Sequence, residues 1–177
     1  MKLLSGGQSG VDRAVLDVAR GRGIDYAGWC PQGGWAEDFP EPPGVLTKYP
    51  RLQETPLADP AQRTEWNVRD ADTCLIIVDA GGLEASRGTA LARDLAHTYR
   101  KPVFVADLAA PDVLSDAALW LRVQLARHRG ELKLAIGGPR ESEAPGIYAR
   151  AVAFIEALLE YSVSSFRGRV KRGARNP

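Results

Sequence analysis

Lys2-Leu3-Leu4-Ser5-Gly6-Gly7-Gln8-Ser9-Gly10-Val11-Asp12 reads as a short apolar strand, a glycine-rich turn and the entry to a helix. Val11, Ala14, Val15, Val18 and Ala19 continue it at i, i+3, i+4, i+7 and i+8. That spacing is one apolar helical face. Gly21 and Gly23 stop the helix, and Tyr26–Cys30 reads as the next strand.

The rest of the chain keeps the alternation. Asp59-Pro60 opens a helix to about Ala71, with Asp as N-cap and Pro in the first helical position. Thr73–Val78 is a continuous apolar, β-branched run, the pattern of a strand buried on both faces. A helix is expected at about 88–99, a buried strand at 102–106, a helix at 114–127, a strand at 132–136 and a last amphipathic helix at 145–161. A short strand is expected near 52–54. Strands separated by helices of this length pair in parallel through right-handed crossovers. The fold class is therefore α/β, a Rossmann-like three-layer α/β/α domain with a mostly parallel sheet. Residues 31–58 form a long Gly/Pro-rich connection, and such loops are usually functional or mobile.

Length and charge agree with one domain, placed at 1–163. The chain has 177 residues, 45% hydrophobic, with a net charge of +1. Residues 164–177 carry five Arg and Lys and no acid, so the remainder is acidic. This basic tail is expected to be disordered, a solubilising end rather than a weak phosphate or nucleic-acid contact. Nucleic acid is not an expected partner, and no run is long enough to span a membrane. No signal peptide is visible, which predicts a cytoplasmic protein. Cys30 and Cys74 sit in apolar strand-like runs and suggest no disulfide.

Four segments carry candidate chemistry. In the Ser5–Asp12 turn, Gly6, Gly7, Gln8, Ser9 and Gly10 can bring backbone N–H groups to an anion at a helix N-terminus. It is neither a Walker A loop nor G-x-G-x-x-G. Ser9-x-x-Asp12 also reads as a capping box, and Asp12 beside a phosphate would repel it, so Asp12 caps the helix or accepts donors from a ligand. The second segment, Gly81-Gly82-Leu83-Glu84-Ala85-Ser86-Arg87-Gly88-Thr89, follows a buried strand and opens a helix. Ser86, Gly88 and Thr89 can bind a second anionic or hydroxyl group, or Ser86 simply caps. In the third, Gly137-Gly138-Pro139-Arg140-Glu141-Ser142, Arg140 suits phosphate or carboxylate or forms a surface pair with Glu. In the fourth, Arg63, Trp66, Asn67 and Asp70 share a helix face that is either solvated or lines a polar site. Cys30, Gln32, Glu37 and Asp38 follow the second strand and can reach the same crevice, though Cys30 also reads as a buried residue. No zinc pattern, catalytic triad or nucleophile elbow is present, so no catalytic residue and no catalytic metal is assigned.

Taken together, Ser5–Arg13, Gly28-Trp29-Cys30-Pro31 with Ala36-Glu37-Asp38, Arg63-Thr64-Glu65-Trp66-Asn67-Val68-Arg69-Asp70, Gly88-Thr89-Ala90-Leu91, and Gly138–Ser142 with Pro145-Gly146-Ile147-Tyr148 resemble the molybdenum carrier family, the molybdenum-cofactor carrier proteins of the Rossmann-like SLOG group. The similarity spans about residues 1–160. It implies a cytoplasmic homo-oligomer, dimer or tetramer, that holds the molybdenum cofactor, a molybdopterin with one phosphate, and passes it to molybdoenzymes. The family's ligand contacts carry over to Gly6–Gly10, Ser86–Thr89 and Arg140. The sequence departs from the family in its basic tail and in the Leu83–Arg87 turn.

The related LOG-type phosphoribohydrolases are the rival. Their Pro-Gly-Gly-x-Gly-Thr-x-x-Glu loop places a catalytic Glu where this chain runs Gly88-Thr89-Ala90-Leu91-Ala92. Glycosidic hydrolysis needs such a carboxylate. Glu84 or Glu37 is the available substitute.

Overall fold

The computed structural model describes residues 1–170, with side chains through Ser162. Strands β1 (Lys2–Leu4), β2 (Asp25–Ala27), β5 (Thr73–Val78), β6 (Val103–Asp107) and β7 (Lys133–Gly137) form one sheet in the order β2-β1-β7-β5-β6. Every pairing in it is parallel.

The sheet buries alternate residues on its two faces, as the two-residue side-chain period requires. Leu3, Leu75, Ile77, Leu134 and Ile136 join the core beneath helices α1 (Val11–Gly21), α4 (Val113–Arg127) and α5 (Ile147–Val170). Leu4, Cys74 and Ala135 lie under α2 (Pro60–Asp70) and α3 (Arg87–Thr98). This is the expected three-layer arrangement. Chain length and core agree: at about 25 cal/mol per Å², each fully buried Leu or Ile of these layers contributes roughly 1.5–3 kcal/mol.

Three details differ from the sequence reading. The expected strand Tyr26–Cys30 divides at Gly28 into β2 and β3 (Trp29–Cys30), and β3 pairs with β4 (Gln53–Glu54) in a separate two-stranded sheet. Gly28 has φ 143° and lies so close to the Ser5 carbonyl that a Cβ would collide with it, so the chain can leave the main sheet there only through glycine. Strand β6 is an edge strand and only half-buried rather than buried on both faces. The last helix runs to Val170, beyond the expected end at Tyr161, because no Gly or Pro interrupts the run before Gly168. The remainder of the basic tail, 171–177, lies outside the described residues.

The 31–58 connection is packed rather than loose. Ala36, Val45 and Tyr49 are fully buried and Leu52 is 5% exposed. The Tyr49 ring meets Tyr26 edge-on at 6.3 Å, and its hydroxyl donates to Asp17 Oδ1 at 2.7 Å. Hydrophobic residues at these positions pull the segment onto α1, and two short 3-10 turns, Gln32–Gly34 and Gly44–Thr47, take the place of regular structure.

Among the described residues, no helix is long and apolar enough to cross a membrane.

Candidate functional site

Strand β1 leads through α1 to β2 on one side of the sheet, and β5 leads through α3 to β6 on the other, with β7 between β1 and β5. Helices α1 and α3 cover opposite faces. This reversal is the point where open α/β sheets form a crevice at the carboxyl ends of their strands. Three loops meet that edge: Ser5–Gly10 after β1, Asp79–Ser86 after β5, and Gly138–Ser142 after β7.

The Ser5–Gly10 turn is buried throughout. Each of its glycines makes room for protein. A Cβ on Gly6 would meet the Arg63 guanidinium and Asp12. On Gly7, at φ +76°, it would meet Leu52 Cδ1 at 2.9 Å, and on Gly10, at φ +69°, the Pro139–Arg140 backbone. Gly10 is the N-cap residue of α1 and supplies no side-chain cap, so the Ser9–Asp12 capping box does not form. Ser9 Oγ instead donates to Glu37 and accepts from Glu141 N at 3.0 Å. Gln8 Oε1 accepts from Ser9 N and Glu37 N at 3.0 and 2.9 Å.

Asp12 turns back into the cradle. Its Oδ2 lies 2.8 Å from Arg63 Nη1, and its carboxylate also takes the Gln8 backbone N–H. Burial pushes its pKa up from the ordinary aspartate value despite the pull of Arg63. The protein's own carboxylate therefore occupies the anion position of this turn, with Arg63 as counter-ion. The crevice beside it, lined by Ser5, Gly6, Asp12, Arg63, Asn67 and Gly137 among others, holds only about 40 Å³.

The remaining residues of the α2 face secure β3. Asn67 Oδ1 accepts from Trp29 N at 2.9 Å, and Asn67 Nδ2 donates to the carbonyls of Trp29 and Arg63. Asp70 accepts from Trp29 Nε1 at 2.7 Å, and Trp66 packs edge-on against Trp29 with centroids 4.6 Å apart. Internal hydrogen bonds thus engage the mixed Arg/Trp/Asn/Asp face. Cys30 is fully buried, its Sγ 3.4 Å from the Gln53 carbonyl and its thiol pushed up to about 11 by burial. That leaves Cys30 no surface for a ligand and little thiolate.

The entry to α3 differs from that of α1. Ser86 is its N-cap and accepts from Thr89 N. Gly88 is exposed, has no positive φ, and has only Ser86 Oγ, at 3.9 Å, near the place a Cβ would occupy. The first turn contains no acid. Thr89 is 3% exposed, and its Oγ1 has no hydrogen-bond partner among the described residues. The Arg140 guanidinium is 6.0 Å from the Trp35 ring, and its Nε is 3.6 Å from Glu143. Glu84 sits on an exposed turn, while Glu37 holds Ser9 and Ser142.

Sequence reasoning passed over Arg13. It is 6% exposed, donates bidentately to Asp38 at 2.7 and 2.9 Å, and lies over the Phe39 and Tyr49 rings. An arginine beside the apolar stripe of α1 was the available signal, but apart from the Gly7 carbonyl its partners come from 25 and more residues away. Among the described residues no cluster of His, Cys, Asp and Glu is arranged to hold a metal ion.

Residues 3–159 match the model of the circularly permutated YpsA SLOG family. A solved structure described as "Putative molybdenum carrier protein" from Syntrophus aciditrophicus SB is 38% identical, with a TM-score of 0.76 over 89% of this chain and 94% of that one. No curated protein matches.

Proposed function

The chain belongs to the circularly permutated YpsA SLOG family, and from that premise we propose that it is a carrier for a phosphorylated small molecule, the molybdenum cofactor. The binding unit is residues 1–163. The ligand's phosphate sits at the amino end of α3, on the backbone N–H groups of Arg87 and Gly88, rather than in the Ser5–Gly10 turn. One contrast carries this reading: the entry to α1 is filled by Asp12, whereas the entry to α3 is exposed at Gly88 and free of acid. A helix N-terminus of that kind favours an anion by its free N–H groups and its dipole. Arg87, exposed at this helix end, adds positive charge. The name of the 38% identical neighbour supports molybdenum as cargo.

In this account the protein is a cytoplasmic homo-oligomer that gives up its cargo to molybdoenzymes, and uniform binding by backbone donors holds the ligand without turning it over. The test is to add molybdenum cofactor to the purified protein, follow the cofactor's lifetime, and identify by mass spectrometry and metal analysis what co-purifies. Prolonged lifetime with bound pterin and molybdenum is the expected result. A lifetime equal to that in buffer, with no bound pterin, contradicts it.

A further inference from the structure

The two edges of the main sheet are built differently. Strand β2 has three residues and is guarded by charge: Asp25 pairs with Lys2 at 3.0 Å and with Arg51 at 2.9 Å. Strand β6 runs Val103-Phe104-Val105-Ala106 with no charge before Asp107. Cys74 N donates to Pro102 O and Leu108 N to Val78 O, so alternate residues from Pro102 to Leu108 address β5. Val103 and Val105 therefore turn their N–H and C=O groups outward. Natural sheets normally blunt such an edge with lysine, proline or a bulge. Here Val105 is 37% exposed.

Helix α4 continues the apolar surface. Its Trp120 ring lies 5.6 Å from that of Phe104, and Leu119 and Val123 are 59% and 42% exposed. Asp116, Leu119, Val123 and Arg127 follow at i, i+3, i+7 and i+11, one helix face. Asp116 and Arg127 are both exposed, and neither is in an ion pair among the described residues. Along the helix this face reads acid, apolar, apolar, base.

That order decides the occupant. The same face turned end for end reads base, apolar, apolar, acid, so it complements itself across a two-fold axis, as an isologous interface requires. With the axis between Leu119 and Val123, Leu119 meets the partner's Val123, and Asp116 meets the partner's Arg127.

We propose that a second copy of this chain docks here, α4 antiparallel to α4, and covers the apolar flank of the β6 edge. The inference rests on the homo-oligomer of the carrier reading, to which it gives an interface, and it does not depend on the cargo.

The experiment measures sedimentation velocity of the full-length protein over a range of concentrations. The wild type is compared with Leu119→Asp, with Asp116→Lys, and with Asp116→Lys combined with Arg127→Glu. Circular dichroism verifies that each is folded. The wild type is expected to sediment as a dimer or as a larger even assembly. Leu119→Asp and Asp116→Lys should each weaken association at least about tenfold. The double reversal should restore it, because acid and base exchange places across the axis. An oligomer of unchanged strength in folded Leu119→Asp, or a double reversal no stronger than Asp116→Lys alone, overturns this interface and leaves the carrier's homo-oligomer standing. A wild type that stays monomeric overturns both.

Discussion

Asp12 Oδ2 and Arg63 Nη1 lie 2.8 Å apart inside the turn after the first strand, both largely withdrawn from solvent. The pair joins α1 to α2 across the crevice. Removing one partner of a buried pair leaves an uncompensated charge, at a cost of roughly 3–5 kcal/mol. Arg63→Ala is therefore expected to lose about 3 kcal/mol at neutral pH in urea unfolding. The loss shrinks in acid. Asp12 has a raised pKa in the folded state, so its ionised form penalises folding as pH rises above the ordinary value of 3.8, and the penalty vanishes below it. Unfolding curves at pH 7 and near pH 4 check the difference. Equal losses at both would contradict the assignment.

Gly7→Ala and Gly88→Ala separate packing from binding. Gly7 has φ +76° and faces Leu52 at 2.9 Å. An alanine there is expected to cost about 1–3 kcal/mol, through left-handed strain and contact with Leu52. Gly88 has ordinary backbone geometry and open space, so alanine should leave the melting temperature unchanged or slightly higher. Calorimetry of both variants decides.

Asn67→Ala should release β3. It strands the N–H and C=O of Trp29 in a half-buried setting, each such loss costing roughly 1–3 kcal/mol. Loss of about 2–4 kcal/mol in total, with an altered Trp fluorescence spectrum from the Trp29–Trp66 pair, is the expected outcome. Unchanged stability would remove Asn67 from this structural role.

Acid should loosen the 31–58 connection first. Bonds from Ser142 and Ser9 hold the Glu37 carboxyl below its ordinary 4.5, against the opposing effect of burial. A lowered carboxylate pKa contributes stability above the unfolded value and loses it as pH falls through the folded one. Amide protection within 31–58, measured from pH 6 downward and corrected for the intrinsic slowing of exchange in acid, should fall as pH drops below about 4.5, and Glu37→Gln should remove that pH dependence.

The sheet was legible because its strands are apolar runs bounded by glycine and proline: Thr73–Val78 matches β5 residue for residue. The Asp59 cap and Pro60 likewise mark the start of α2. The site was less legible because its decisive contacts span long sequence separations. Nothing local in Ser5–Asp12 reveals that Asp12 meets Arg63, 51 residues on, or that Ser9 and Ser142 converge on Glu37. Composition marked Asn67 and Arg63 as unusual on a helix face, but only tertiary pairing tells a structural latch from a ligand contact. Gly28 is the same lesson for the backbone: a strand that reads as continuous changes sheets where another carbonyl needs the space of a side chain.

The most direct test of the carrier account compares binding of molybdenum cofactor by the wild type and by Gly88→Asp, which places a carboxylate at the amino end of α3 without a steric clash in the fold. Bound pterin and molybdenum are quantified after rapid gel filtration, with Gly88→Ala as the uncharged control. The account predicts that the wild type retains both, that Gly88→Asp loses at least about tenfold in affinity, the equivalent of 1.4 kcal/mol, and that neither variant melts below the wild type. Equal retention by Gly88→Asp and the wild type, or no retention by any of them, contradicts it.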